Sequence, residues 1–192
     1  MQRLRDAFSK LVSQTLAPRH KDLRFLDESG VNLGLTRLFG RATPGERIVE
    51  GTPDDSGPHY TVIASLGWDG VQAPWMLEGA MTGIAFETYV EHILAPTLRT
   101  KEIVLIDNLS AHKGSKVRAL IEARGARLEY LPPYSSDWNP IEECWSKVKT
   151  ALRAAKARTF DELLDALGDA LRAVSPDDAA AWFAHCGYTV KP

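Results

Sequence analysis

The chain has 192 residues, 44% of them hydrophobic and 25% charged, with a formal net charge of −2 at pH 7. This composition predicts one globular domain, with room for a second only if it is small. The net charge is not that of a dedicated DNA-binding module, so any charge that binds DNA must be local. The two cysteines, Cys144 and Cys186, lie in no metal-type spacing, which excludes a zinc knuckle or a disulfide scaffold and indicates a reducing compartment. No apolar run reaches the roughly 20 residues that span a bilayer, so we expect no membrane partner.

The first third of the chain predicts a helix, a strand and a long loop. Apolar residues at helical spacing indicate a helix within residues 1–17, which Pro18 ends. Residues 23–26 are typical of a strand, and we expect Asp27 to end it. Residues 40–58 are rich in Gly, Pro, Thr and Asp and predict a loop.

A hairpin and a second helix follow. Residues 60–66 and 71–77 predict two strands joined by a turn at residues 69–70. Pro74 within the second strand indicates a sheet edge or an irregularity. The apolar spacing becomes helical over residues 85–98.

The second half of the chain alternates strands and helices. Residues 102–106 form an apolar run headed by one acid, which is typical of a strand covered on both faces, and residues 127–131 predict a further strand. Helices are predicted over residues 116–123, 140–157 and 159–174, and from Ser175 onward. This order predicts an α/β fold, a mixed five-stranded sheet with helices on both faces.

Three acidic residues lie where such a sheet would bring carboxylates together. Asp27 and Asp107 each end a predicted strand, and Glu142 lies near the start of the long helix. Ligands of open α/β sheets bind at the carboxyl ends of strands. Crowded carboxylates repel one another unless cations neutralise them, and oxygen ligands of this kind suit Mg²⁺ or Mn²⁺. Each acid alone also fits an ordinary role: the aspartates as turn residues, and Glu142 in a capping box with Asn139.

The long helix predicted over residues 140–157 has one apolar stripe. At about 100° per residue, the stripe consists of Ile141, Trp145, Val148 and Leu152. Glu142 lies on the flank of this stripe, whereas Glu143 points nearly opposite, so Glu142 is the predicted ligand. We interpret Trp145 as a core residue.

A basic ridge follows Glu142 on the same side of this helix. It consists of Lys149, Arg153 and Lys156. We interpret the ridge as a track for a DNA backbone that enters the acidic site. The alternative is a basic helix face that only contacts solvent.

Three segments around the acids carry a resemblance to a known family. They are Leu26-Asp27-Glu28-Ser29-Gly30, Ile106-Asp107-Asn108-Leu109-Ser110-Ala111-His112-Lys113, and residues 131–145, LPPYSSDWNPIEECW. Together they resemble the catalytic domain of mariner-superfamily DDE transposases. The 34 residues between Asp107 and Glu142 match the interval of the bacterial insertion-sequence branch of that superfamily.

The resemblance implies a ribonuclease-H-like fold over residues 23–192. It also implies that the catalytic residues Asp27, Asp107 and Glu142 hold two divalent ions, Mg²⁺ or Mn²⁺. The implied reaction is cleavage of DNA at transposon ends, followed by attack of the freed 3′-hydroxyl on target DNA, typically at a TA dinucleotide. We expect three residues of the segment after Asp107 to contact DNA or to orient Asp107. They are Asn108, His112 and Lys113.

The chain departs from the family at its beginning. Family members carry helix-turn-helix domains before the catalytic domain, whereas here only residues 1–22 precede the first predicted strand. We expect residues 1–22 to be a remnant helix or linker, and the DNA-reading half to be a separate or upstream chain. We expect the chain to act in the bacterial cytoplasm, associated with the nucleoid, and the sequence leaves its oligomeric state open, with a homodimer as one candidate. Two alternatives stay open: a catalytically idle remnant that regulates a full-length transposase, and a related nuclease that cuts RNA–DNA hybrids.

Overall fold

The computed structural model describes residues 2–108 and 114–189 and shows one mixed sheet in that part of the chain. Its strands are β1 (Leu23–Asn32), β2 (His59–Gly67), β3 (Gly70–Glu78), β4 (Ile103–Ile106) and β5 (Arg127–Tyr130). The strand order is β3-β2-β1-β4-β5. The pairs β1–β2 and β2–β3 are antiparallel, whereas β4 pairs in parallel with both β1 and β5. The predicted five-stranded mixed sheet is therefore confirmed.

The helices lie before, between and after these strands. They are α1 (Gln2–Leu11), α2 (Gly83–Tyr89), α3 (Ser115–Glu122), α4 (Ile141–Ala155), α5 (Phe160–Arg172) and α6 (Pro176–His185). Tighter and wider helical turns extend α1 through Asp22 and α2 through Thr97. Helices α5 and α6 begin where the sequence predicts, after Thr159 and Ser175, and each N-cap residue forms a capping box. No helix in the described part of the chain is both long and apolar enough to cross a membrane.

Different helices cover the two faces of the sheet. On one face, α1, α4, α5 and α6 pack over a cluster that includes Phe25, Leu105 and Trp145. On the other face, α2 and α3 pack over a cluster that includes Leu26 and Ile106. Successive side chains of a strand point to opposite faces, which explains why neighbours in β1 and β4 enter different clusters. The prediction of helices on both faces is confirmed.

Strand β1 is longer than predicted, and Asp27 does not end it. Asp27 lies within β1 and pairs with Ala64 of β2. The reason is that β1 has two neighbours of different length. Antiparallel pairing with β2 continues to Asn32, whereas parallel pairing with β4 stops where Leu26 faces Ile106. Asp27 therefore lies at the end of the parallel part of the sheet, inside a strand that continues.

The predicted irregularity at Pro74 is present. Strand β3 lies at the edge of the sheet, and its register against β2 shifts between Ile63 and Ser65. Ala73, directly before Pro74, has a φ of 51°. An edge position suits proline, which has no N–H to donate to a neighbouring strand.

Candidate active site

The strands place the two aspartates side by side. Asp27 and Asp107 each follow the last residue paired between β1 and β4, where Leu26 faces Ile106. Adjacent strands lie about 4.8 Å apart, so the two acids begin from neighbouring backbone positions. Phe25, two residues before Asp27, packs in the cluster under α4, and alternation sends the Asp27 side chain to that same face.

Helix α4 brings the third acid to this edge. It begins at Ile141, packs with its apolar stripe on the sheet, and carries Glu142 in its first turn. One turn later, the indole N–H of Trp145 donates a hydrogen bond to Oδ2 of Asp27 at 3.2 Å. Trp145 is 4% exposed, so its predicted core position is confirmed. Its contact with Asp27 was missed, although its position three residues after Glu142 was a signal for it.

The three acids line one cavity of about 400 Å³. The loop between β5 and α4 forms much of the remaining wall. The lining residues are Asp27, Asp107, Asn108, Leu131, Pro132, Pro133, Tyr134, Ser135, Ser136, Asn139 and Glu142. The structure thus brings Asn108 and all three predicted acids to one place. His112 and Lys113 lie outside the described residues.

The acids of this cavity influence one another electrostatically. Burial raises the pKa of Asp27 from 3.8 to about 8. The negative charges of Glu142, Glu28 and Asp107 add to this shift, in that order after burial. A backbone hydrogen bond at Glu28 opposes it. The cavity therefore disfavours a negative charge on Asp27 unless positive charge is supplied.

The donor set fits a divalent cation in its chemistry. Within residues 2–108 and 114–189, no group of three His, Cys, Asp or Glu side chains forms a ready-made metal site. The cavity nevertheless offers hard carboxylate oxygens, which Mg²⁺ and Mn²⁺ prefer. A cation would also relieve the repulsion that raises the pKa of Asp27. The residues therefore suit such an ion, provided that the carboxylates draw closer around it.

The capping-box interpretation of Glu142 is wrong. Pro140 occupies the N-cap position of α4, and no side chain caps the helix. The Asn139 side-chain oxygen accepts no hydrogen bond among the described residues, so it does not cap the helix, and the Glu142 N–H donates to the Asn139 backbone oxygen at 3.1 Å. The exposed Glu142 carboxylate makes no hydrogen bond or ion pair within the described part of the chain, which leaves it available to a ligand.

The predicted basic ridge is only partly free. Lys149 and Arg153 are half-buried on α4, and neither has an ion-pair partner among the described residues. Lys156 ends α4 in a left-handed conformation with φ of 53° and forms an ion pair with Glu50. Lys149 and Arg153 are therefore the two ridge residues best placed to meet another molecule.

Helix α1 anchors the loop between β5 and α4. Arg5 donates to the backbone oxygen of Tyr134 at 3.2 Å and to Oγ of Ser135 at 3.1 Å, and it forms an ion pair with Asp137 at 2.6 Å. Its guanidinium also lies 4.5 Å from the ring centroid of Trp138. These contacts hold Tyr134 in a left-handed backbone conformation with a φ of 56°. Tyr134 is 87% exposed and lines the cavity. No local sequence pattern predicts this anchor.

A protein-family model described as DDE superfamily endonuclease matches residues 22–164, most of the chain. The chain belongs to the DDE superfamily endonucleases. The matched region includes β1, β4, β5 and the whole of α4, and therefore all three acids. No curated protein matches the sequence.

Solved structures similar to this DDE endonuclease include transposase and intasome assemblies. For the Mos1 strand transfer complex the TM-score is 0.73 at 16% identity, covering 97% of this chain and 58% of that chain. For the Mos1 transposase catalytic domain with raltegravir and Mg, the TM-score is 0.60 at 14% identity, and the match covers 95% of this chain and 94% of that chain. For the simian T-cell lymphotropic virus intasome in complex with PP2A regulatory subunit B56 gamma, the TM-score is 0.51 at 13% identity. That match covers 77% of this chain and 47% of the other.

These likenesses confirm the predicted fold. At such low identities they show a shared architecture, the ribonuclease-H-like fold with a mixed sheet and helices on both faces. Together with the family match, they confirm the resemblance drawn from the three sequence segments. The DDE endonuclease spans slightly more than half of the Mos1 chain in the strand transfer complex, since the match covers 58% of it.

Proposed function

We propose that the chain is the catalytic domain of a transposase. It cleaves DNA at a transposon end and joins the freed 3′-hydroxyl to target DNA, at TA sites. The observation that carries this proposal is that Asp27, Asp107 and Glu142 line one cavity in which Asp27 responds to the charge of the other two. Membership of the DDE endonuclease family supports the same reaction.

The three acids would hold two divalent ions, Mg²⁺ or Mn²⁺. Ions held there by these acids would supply activation of an attacking oxygen and stabilisation of the leaving oxygen in an in-line displacement at phosphorus. The residues of the chain position the acids for this task. Trp145 holds Asp27 through its indole N–H, and the exposed Glu142 carboxylate is free to turn toward the cavity.

The proposal places DNA contacts in the cavity and along α4. Asn108 lines the cavity directly. Lys149 and Arg153 offer positive charge along α4, where they would contact phosphates, and Lys156 would join them only after leaving Glu50. His112 and Lys113 complete the predicted set.

Further parts of the proposal concern partners. A helix-turn-helix half, separate or upstream, would recognise the transposon ends, and the working unit would be a homodimer on the DNA of a bacterial nucleoid, in the cytoplasm. The similar Mos1 chains are described in strand transfer and paired-end complexes, which supports DNA as the substrate. Sedimentation of the purified chain with and without DNA tests the homodimer.

A nicking assay tests the reaction. The purified chain, alone and with a helix-turn-helix half supplied in trans, is incubated with transposon-end DNA and Mn²⁺ or Mg²⁺. We expect metal-dependent strand cleavage that Asp107→Asn abolishes, because the substitution removes a ligand charge and keeps the shape. Cleavage by Asp107→Asn, or no cleavage by the unaltered chain under either condition, would contradict the proposal. The second result would favour a regulatory partner of a full-length transposase.

A further inference from the structure

One buried amide beside the acids has an oxygen with no hydrogen-bond partner among residues 2–108 and 114–189. Asn139 is 4% exposed and lines the acid cavity. Its Oδ1 atom is buried and accepts no hydrogen bond in the described part of the chain. An unsatisfied buried polar atom destabilises the folded state, and native proteins keep few of them. Because the side chain that carries this unpaired acceptor belongs to a residue of the cavity wall, we look for its partner in a ligand that enters the cavity from outside the chain.

The local backbone explains why this side chain is unused. The Asn139 N–H donates to the Ser136 oxygen at 2.9 Å, and the Asn139 oxygen accepts from the Glu142 N–H at 3.1 Å. Proline disfavours a helical conformation in the residue before it, and Asn139, before Pro140, has φ −116° and ψ 89°. The backbone is thus satisfied and fixed, and the side-chain amide has no structural bond to make through Oδ1.

The chemistry of the unpaired atom selects its ligand. A carbonyl oxygen binds a cation or accepts a hydrogen bond from water. It does not pair with a phosphate oxygen, which is also an acceptor. The carboxylates of Asp27, Asp107 and Glu142 line the same cavity and together attract cations. A divalent cation, or a water molecule bound to it, therefore satisfies Oδ1.

We propose that Asn139 is a fourth oxygen group of the cation site and meets a divalent ion through Oδ1, directly or through one water of its hydration shell. This inference rests on the proposed function, from which it takes the cation site. A neutral oxygen adds a ligand without adding negative charge to three carboxylates that already repel one another. Asn139 thus helps to position the ion beside the acids.

The test separates a cation ligand from a structural residue. The full chain is compared with Asn139→Leu, which keeps the approximate volume and removes both polar atoms, and with Asn139→Asp, which keeps an oxygen. Ser65→Ala is the contrast, because Ser65 is equally buried but is fully bonded to Arg24 and to the Gln72 oxygen. Thermal unfolding in EDTA and Mn²⁺ titration calorimetry are measured for each variant at pH 8.5.

Loss of the Asn139 amide should weaken Mn²⁺ binding without lowering the stability of the metal-free chain. Asn139→Leu should unfold in EDTA at the same temperature as the unaltered chain or higher, since no internal bond is lost, yet bind Mn²⁺ about 10-fold or more weakly. Asn139→Asp should bind Mn²⁺ at least as tightly as the unaltered chain. Ser65→Ala should lose stability and keep its Mn²⁺ affinity.

Other outcomes overturn the inference. Unchanged Mn²⁺ affinity in Asn139→Leu would do so, and so would weaker binding by Asn139→Asp if the leucine variant does not fold. The proposed function fails separately. If Mn²⁺ binds and depends on Asn139 but no DNA is cut, the inference stands and the transposase proposal fails. If DNA is cut and Asn139→Leu binds Mn²⁺ normally, only the inference fails, and if no Mn²⁺ binds at all, both fail.

Discussion

The indole N–H of Trp145 and Oδ2 of Asp27 lie 3.2 Å apart and join α4 to β1 at the acid cavity. Glu142 precedes Trp145 by one helical turn, so the same bond that holds the first acid also fixes the helix that carries the third. A core residue thereby sets the relative position of two carboxylates that lie far apart in sequence.

Replacing Trp145 by phenylalanine should therefore affect metal binding more than stability. The aromatic ring keeps most of the packing, but Asp27 loses the donor that orients it. Groups that orient metal ligands typically contribute about 10- to 100-fold in affinity or activity. We expect Mn²⁺ affinity and the rate of DNA nicking to fall by at least about 10-fold, measured by calorimetry and by a plasmid nicking assay.

The matched control for this change is Trp182→Phe. Trp182 is a partly buried tryptophan of α6 that packs against the same core cluster without lining the cavity. It should change stability by a similar amount and leave Mn²⁺ affinity unchanged. Equal Mn²⁺ affinity in the Trp145 and Trp182 variants would show that the bond to Asp27 has no part in metal binding.

The raised pKa of Asp27 makes the metal-free protein less stable as the pH rises. Between about pH 4 and pH 8 the unfolded chain has lost the Asp27 proton, whereas the folded chain keeps it. The folded state then binds more protons, so the free energy of unfolding falls with pH by up to roughly 1.4 kcal/mol per pH unit. The stabilisation is complete below about pH 4 and is lost as the pH passes about 8.

Asp27→Asn should remove this dependence. In EDTA, the unfolding temperature of the variant should fall less between pH 5 and pH 9, and the variant should be the more stable protein at the upper end of that range (roughly the window set by the two pKa values). Asp165→Asn, which alters an exposed carboxyl on α5, is the control and should follow the unaltered chain. Parallel curves for all three proteins would mean that Asp27 ionises in the folded state as it does in the unfolded chain.

Arg5 should control the order of the loop between β5 and α4. Its bonds to Tyr134, Ser135 and Asp137 hold one wall of the cavity from α1. We expect Arg5→Ala to speed hydrogen exchange at the amides of residues 135–139 and to slow DNA nicking, because the cavity wall becomes mobile. Arg3→Ala, which removes an exposed arginine of the same helix, should change neither measurement. Unaltered exchange in Arg5→Ala would assign the loop conformation to other contacts.

The two free basic residues of α4 should contribute to DNA affinity through phosphate contacts. For each contact removed, the slope of log affinity against log salt concentration should fall by about 0.9 on duplex DNA. We expect the double variant Lys149→Glu, Arg153→Glu to bind DNA more weakly. Its salt slope should fall by the amount that corresponds to about two lost phosphate contacts, measured by fluorescence anisotropy in Ca²⁺. Arg124→Glu changes an exposed arginine in the turn between α3 and β5, at the end of β5 away from the cavity, and should have little effect. The same salt slope in both variants would argue for a merely solvated ridge.

The sequence predicted the sheet and the acids because both depend on local patterns. Apolar runs and turn residues marked all five strands, and the segments around Asp27, Asp107 and Glu142 carried a specific combination of residues and spacing. The end of β1 was wrong because strand length depends on the partner. That partner, β2, begins 27 residues after β1 ends, and its pairing through Asn32 leaves no signal near Asp27.

The side-chain contacts of the site were beyond prediction for a related reason. Trp145 lies on the apolar stripe of α4, but whether its N–H meets Asp27 depends on how the helix crosses the sheet. Asn139 precedes a proline and a helix, which indicated an N-cap, yet its backbone oxygen took that bond instead. Arg5 contacts a cavity loop that lies more than a hundred residues later in the sequence. Local sequence patterns do not predict contacts between residues so far apart.

The packing of α1 limits how far the chain can be shortened at its beginning. Phe8, Val12 and Leu16 are buried in the same core as α6, whereas the family match covers only residues 22–164. A shortened clone that follows the matched region would remove apolar cover from one face of the sheet and release the cavity loop from Arg5. Work on the isolated catalytic unit should therefore retain both termini.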